Sequence, residues 1–205
     1  MELVTSCIPE KQSLSLYNLF YEKRYSEVIE QGLIKLDECN EDAGVHLALM
    51  DAYFKLRNEN EESIVACAKH AKLAIIYGHN TGHAHDRLLK TLKTFKHYHQ
   101  ALQLCDLVLK SNFAFWNTGV GSKDSYAKAK EQITKLLPKA TDTPKDVLFS
   151  KEQIKSIISA QKERLRLKRE GEKLFKQADK AYWAGNDNEY KRLMKAYRDI
   201  QEVIW

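Results

Sequence analysis

The chain has 205 residues, 43% of them hydrophobic, enough for one or two domains with a real core. Three prolines, eight glycines and abundant Leu, Lys, Glu and Ala point to a nearly all-helical protein, and no run of alternating β-branched residues argues for strands. The net charge of +5 is unevenly placed: residues 1–150 hold 19 basic and 19 acidic side chains, whereas residues 151–205 hold 14 and 9, so the second stretch either faces a different partner or is a well-solvated helix.

The first expected helix runs from Ser13 to Lys23, with Leu14, Leu16, Leu19 and Phe20 apolar. Tyr25 to Cys39 is its partner, and Gly44 to Arg57 follows with Val45, Leu49, Ala52, Tyr53 and Leu56 on one face. After the acidic turn Asn58–Glu62, a helix from Ser63 to Tyr77 is ended by Gly78. Thr81 can cap a helix to about Lys96, and His99 to Ser111 completes a third hairpin. The cluster Phe113-Ala-Phe115-Trp116 either seals the end of the array or forms a docking patch. Gly119 to Gly121 turns the chain into a helix from Ser122 to Leu137, stopped by Pro138. Residues 141–149 have the composition of a linker. Ser150 and Gln153 have capping-box spacing at the start of a long helix to about Ala184, with Gly171 a weak point. Gly185-Asn186 turns the chain into a last helix from Asp187 to Val203.

A repeated pattern organises the first half. Tyr98, Ala101, Cys105 and Val108 place aromatic, small, small and β-branched residues at helical spacing. Tyr25, Val28, Gly32 and Lys35 hold the corresponding places upstream, and Ile64, Ala68 and Ala71 hold them in the middle. Val28 to Ile64 is 36 residues and Ile64 to Ala101 is 37, a period that marks a helical-hairpin array. Over about residues 10–112 the chain resembles the tetratricopeptide repeat (TPR) family, whose period is about 34. The resemblance implies an all-α, right-handed array of antiparallel helical hairpins over residues 1–140, closed by a capping helix. A linker at 141–149 and a basic long helix with a helical hairpin at 150–205 would follow. That last hairpin is either a divergent fourth repeat or a free-standing hairpin.

In the co-chaperone branch of this family, five polar residues grip the carboxylates of a chaperone tail. Aligned on Leu19, Tyr53 and Leu92, Arg87 matches the family's arginine. His83 stands in place of a lysine, Ala48 in place of an asparagine, and Ser13 and Tyr17 fall on the first-hairpin positions. Poor binding of such a tail is therefore expected, since a carboxylate needs convergent donors. The same alignment lines the concave face with Tyr17, Phe20 and Tyr21, then Leu47, Asp51, Phe54 and Lys55, then His83, Arg87, Lys90 and Lys93. An aromatic floor beside a basic wall suits a peptide with apolar anchors and an acidic end.

Catalytic motifs are lacking: there is no nucleophile elbow, phosphate loop or H-E-x-x-H, so an enzyme is not expected, nor a cofactor. The seven histidines, all between His46 and His99, have no zinc-like spacing and read as solvated or groove-lining, so no metal is expected. Cys7, Cys39, Cys67 and Cys105 show no C-x-x-C and read as free thiols of a reducing compartment, cytoplasmic or nuclear. The short, charge-broken apolar stretches and the first nine residues predict neither a membrane span nor a secretory signal. The expected function is a non-catalytic scaffold or adaptor that holds a partner's peptide in the concave groove. The alternative is a nucleic-acid-associated helical protein that uses Lys162, Arg164, Lys168 and Arg169.

Overall fold

The computed structural model describes residues 10–58, 61–78, 82–110 and 123–204. They form helices α1 (Glu10–Tyr21), α2 (Tyr25–Glu38), α3 (Ala43–Leu56), α4 (Glu61–Ile76), α5 (Gly82–Thr94), α6 (Tyr98–Lys110), α7 (Lys123–Leu136), α8 (Lys151–Trp183) and α9 (Asp187–Ile204). A 3₁₀ turn, Leu137–Lys139, ends α7 at Pro138. No strand occurs among the described residues, and no helix there is long and apolar enough to cross a membrane. The aromatic cluster Phe113–Trp116, the Gly119–Gly121 turn, His79, the Thr81 cap and Cys7 lie outside the described residues.

The chain divides into two compact units, residues 1–157 and 158–205. In the first, each helix from α1 to α7 packs on its neighbour in sequence, and α1 also reaches α3. The small-residue seats explain how closely they approach. Gly32 on α2 has no side chain, and a Cβ there would stand 2.7 Å from Leu49 Cδ2 on α3. Leu16, Val28, Val45, Ala48, Leu49 and Ala52 form a fully buried cluster around that contact. Ala101, Cys105 and Val108 hold the equivalent buried seats on α6. Tyr126 of α7 is buried and donates to Asp86 of α5 at 2.8 Å, while α7 packs along α6.

Turn geometry repeats as well. Lys23 and Lys96, 73 residues apart, both adopt the left-handed region at φ 63° and 59°. In each case the following amide bonds a carbonyl five residues back, Arg24 to Leu19 at 3.0 Å and His97 to Leu92 at 2.8 Å. This is the Schellman closure of a helix C-terminus, and Lys accepts a conformation that glycine adopts without strain. The α8–α9 turn uses the same closure with Gly185 at φ 72° and Asn186 N to Ala181 O at 2.9 Å.

Residues 140–150 are fastened rather than loose. Thr141 bonds the carbonyls of Lys96 and Phe95 at the α5–α6 turn. Asp142 accepts from the amides of His99 and Gln100 at 3.1 and 2.8 Å, so it caps α6 from 43 residues away. Gln103 bonds Asp146 O and Leu148 N, and Leu148 and Phe149 are buried. Ser150 and Gln153 then form the reciprocal capping box that opens α8.

In the second unit α8 runs unbroken through Gly171, which was expected to weaken it. A Cβ there would lie 3.5 Å from Ile200 of α9, so the glycine sits where the two helices meet. Phe175 against Tyr197 and Tyr182 against Tyr190 continue that seam, with Ala178 and Leu193 buried. Cys67 and Cys105 are buried free thiols, each pushed up to about 11 by burial. Cys39 departs from the free-thiol expectation: its sulfur is disulfide-bonded.

Candidate functional site

The residues expected to line one face come from α1, α3 and α5, alternate helices that their short connections leave side by side. Asp51 sits one turn before Phe54 and Lys55 on α3, so one helix face offers a carboxylate, a ring and an amine. Across from it, α5 presents His83, Arg87 and Lys90 at one-turn intervals. His83 Nε2 is 2.6 Å from Asp51 Oδ1, and Arg87 Nε is 3.9 Å from the same oxygen. Burial and the Asp51 charge push the Tyr17 phenol above its ordinary value, and α1 packs on α3 with Tyr17 against the buried cluster they share.

Phe54 is the centre of the arrangement. The Arg87 guanidinium lies 3.4 Å from its ring centroid and the Arg57 guanidinium 3.9 Å. Two guanidinium groups that close cannot share one face, so the ring is sandwiched. Lys90 Nζ adds a third cation at 5.3 Å. Arg57 is held in place because its Nη1 donates to Phe54 O at 2.6 Å. Such contacts contribute roughly 0.5–2 kcal/mol each, more where water is excluded, and Phe54 is only 9% exposed. Burial lowers the Arg87 pKa, with Asp51 acting against it.

The aromatic floor and the basic wall therefore bind each other. Arg87 stacks on Phe54 and faces Asp51, Leu47 is buried, and His83 is bonded to Asp51. What stays open to solvent is Tyr21, at 77% exposure, with Lys55, Lys90 and Lys93. Phe20 is half-buried, with Lys55 Nζ 6.0 Å from its ring. Sequence reasoning left Arg57 out of the site, although its place three residues after Phe54 on one helical face was a usable signal. Side chains of residues 10–14, and so Ser13, lie outside the described residues.

The histidines correct a second expectation. His46 and His70 are 3% and 4% exposed, neither solvated nor lining the groove, and His85 is fully buried. His46 Nδ1 lies 2.9 Å from His70 Nδ1, and His46 Nε2 lies 3.0 Å from Asn40 O. A carbonyl only accepts, so His46 donates from Nε2 and its Nδ1 receives the His70 Nδ1 proton. Tyr77 stacks on His46 and Tyr53 on His70, which closes a four-ring column between α3 and α4.

Of the basic residues expected on α8, Lys162 and Arg169 are exposed, while Arg164 and Lys168 are half-buried. Burial lowers the Arg164 pKa, and Lys168 Nζ lies 4.0 Å from Glu172. Arg166 is paired with Glu163 and Glu170 on its own helix. Among the described residues no group of three or more His, Cys, Asp or Glu could hold a metal ion. Compared with protein-family models, with curated proteins and with solved structures, the chain matches none of them.

Proposed function

We propose that the chain is a non-catalytic, TPR-like interaction module that holds an acidic peptide segment of a partner protein on the face made by α1, α3 and α5. One observation carries this reading: α3 and α5 place Asp51, Phe54, His83, Arg87 and Lys90 on one another's side chains, and α1, packed on α3, sets Tyr17 against the buried cluster that α1 and α3 share. A right-handed hairpin array has that arrangement on its concave side. The repeated seats at Gly32 and Ala101, and the repeated Lys23 and Lys96 turns, support the same array. The internal stacking leaves Lys55, Lys90 and Lys93 as the cations that meet the ligand and Tyr21 as its apolar contact.

Screening an array of acidic, Leu- or Tyr-containing peptides and measuring the best by fluorescence anisotropy tests this. Reversing Lys90 and Lys93 to Glu is expected to slow association and flatten its salt dependence. Tyr21→Ala is expected to weaken binding by about 1 kcal/mol or more. Phe54 is a poor probe here, because truncating a side chain this buried costs about 3–5 kcal/mol of stability. Full binding after both exposed changes would remove this face from consideration.

A further inference from the structure

The cations of α8 fall into a row that the expected set of four did not contain. Lys162, Arg166, Arg169, Lys173, Lys176 and Lys180 follow one another at intervals of four, three, four, three and four residues. At 3.6 residues per turn that spacing keeps all six within an arc of about 80° on one face, over about 27 Å of helix. All six are exposed, and among the described residues only Arg166 is in an ion pair. No carboxylate falls inside the arc. Glu163 and Glu170 border one edge, and Glu172 and Asp179 the other. The row faces away from α9, which covers the opposite side at Gly171 and Ala178. At its C-terminal end stands Trp183, 79% exposed, with Tyr182 set edge-on against it at 5.5 Å.

A narrow cationic ridge between two acidic borders selects the shape of its partner. A flat anionic membrane would press against the borders as well as the ridge. The apolar face that an interfacial helix inserts into lipid is here turned to α9. A single chain of phosphates fits along the ridge and avoids both borders. The exposed indole supplies a π-face for an unpaired base, the second element of single-strand binding sites. Six cations along about 27 Å of helix can follow a phosphate backbone over several nucleotides.

We propose that the Lys162–Lys180 ridge of α8, ending on Trp183, is a docking surface for single-stranded nucleic acid. It draws on residues of α8 alone and does not rest on the reading of the α1/α3/α5 face.

The test is fluorescence anisotropy of the full chain with a labelled oligothymidylate of about 20 nucleotides, titrated with salt from about 50 mM. The expected result is binding that weakens steeply with salt. Arg169→Gln, Lys173→Gln and Lys176→Gln together should weaken it at least tenfold and reduce the salt slope by about 2. Trp183→Ala should weaken it about fivefold or more. A control with the same charge change, Lys191→Gln, Lys195→Gln and Arg198→Gln on α9, should stay within about twofold. All three substituted proteins carry surface changes, and unchanged far-UV circular dichroism and melting confirm their fold. The proposal is overturned by absent binding at 50 mM salt, or by equal loss in the α9 control. Equal affinity for duplex with no effect of Trp183→Ala also sinks it. Capture by phosphatidylserine vesicles or by a glutamate-rich peptide, with the oligonucleotide ignored, reassigns the ridge.

Discussion

The buried pair His46–His70 is the residue-scale feature with the clearest consequence. Its hydrogen bond exists only while the His46 ring is neutral, since a protonated Nδ1 would meet the His70 N–H. Burial holds both pKa values down, that of His70 to about 4, and the positive Lys69 lowers both further, while Asn40 O and Asp42 oppose this at His46. An unfolded histidine titrates near 6.5, so between about pH 6.5 and 4 the unfolded chain binds more protons. The stabilisation from keeping His70 neutral is therefore complete above about 6.5 and is lost as pH falls toward 4. At 1.36 kcal/mol per unit it amounts to about 3 kcal/mol. Thermal melting from pH 7 to 4 should show a falling Tm, and the double variant His46→Phe, His70→Phe should lose most of that slope. A pH-independent Tm in the parent chain would contradict it. Sequence pattern could not find this pair: the two histidines lie 24 residues apart, and nothing in the local spacing of either one distinguishes a buried ring from a solvated one.

At the scale of elements, the helices themselves were legible because each carries its own 3.6-residue apolar pattern and a local stop. Pro138, Gly185 and the Ser150–Gln153 capping box all act within a few residues of the boundary they set. The cap of α6 was not legible. His97 precedes the helix with no side-chain acceptor suited to the role, and Asp142 supplies both carboxylate oxygens from the far side of α7. The same blindness covers residues 141–149, whose Thr, Asp and Pro content reads as a linker although their partners are on α6 and the turn before it. Asp142→Ala leaves the His99 and Gln100 amides without their acceptor and should cost about 1 kcal/mol, within the 0.5–2 kcal/mol range of lost N-caps. Denaturant unfolding would register this as a lower midpoint at constant m. Asp142→Asn should recover part of it, since an amide oxygen caps a helix nearly as well. Identical midpoints for Asp142→Ala and the parent would remove the remote cap.

Across the whole molecule, charge is apportioned by what each stretch does with it. The first 150 residues are balanced in sum, but the α1/α3/α5 face gathers cations: Asp51 meets His83 and Arg87, and Arg57, Arg87 and Lys90 all lie at the Phe54 ring. The surplus belongs to residues 151–205, where the α8 ridge is exposed. This distribution bears on the clamp that the family resemblance suggested. Arg87, the one matching residue, stacks on Phe54 with Asp51 beside it, so a ligand carboxylate would approach a like charge. Ala48 is fully buried and has no side-chain donor. A carboxylate taken from water without convergent donors is costly. A peptide ending in Met-Glu-Glu-Val-Asp is therefore expected to bind more weakly than about 1 mM, less than about 4 kcal/mol. Isothermal titration calorimetry checks this directly. Low-micromolar affinity, worth about 7–8 kcal/mol and abolished by Arg87→Ala, would mean that Arg87 leaves the Phe54 ring to meet the tail. In that event the cation stack is a resting arrangement and the co-chaperone reading stands. Weak binding to that tail, alongside tighter binding to acidic peptides with apolar anchors lost in Lys90→Glu, would place recognition in the exposed lysines and Tyr21 instead.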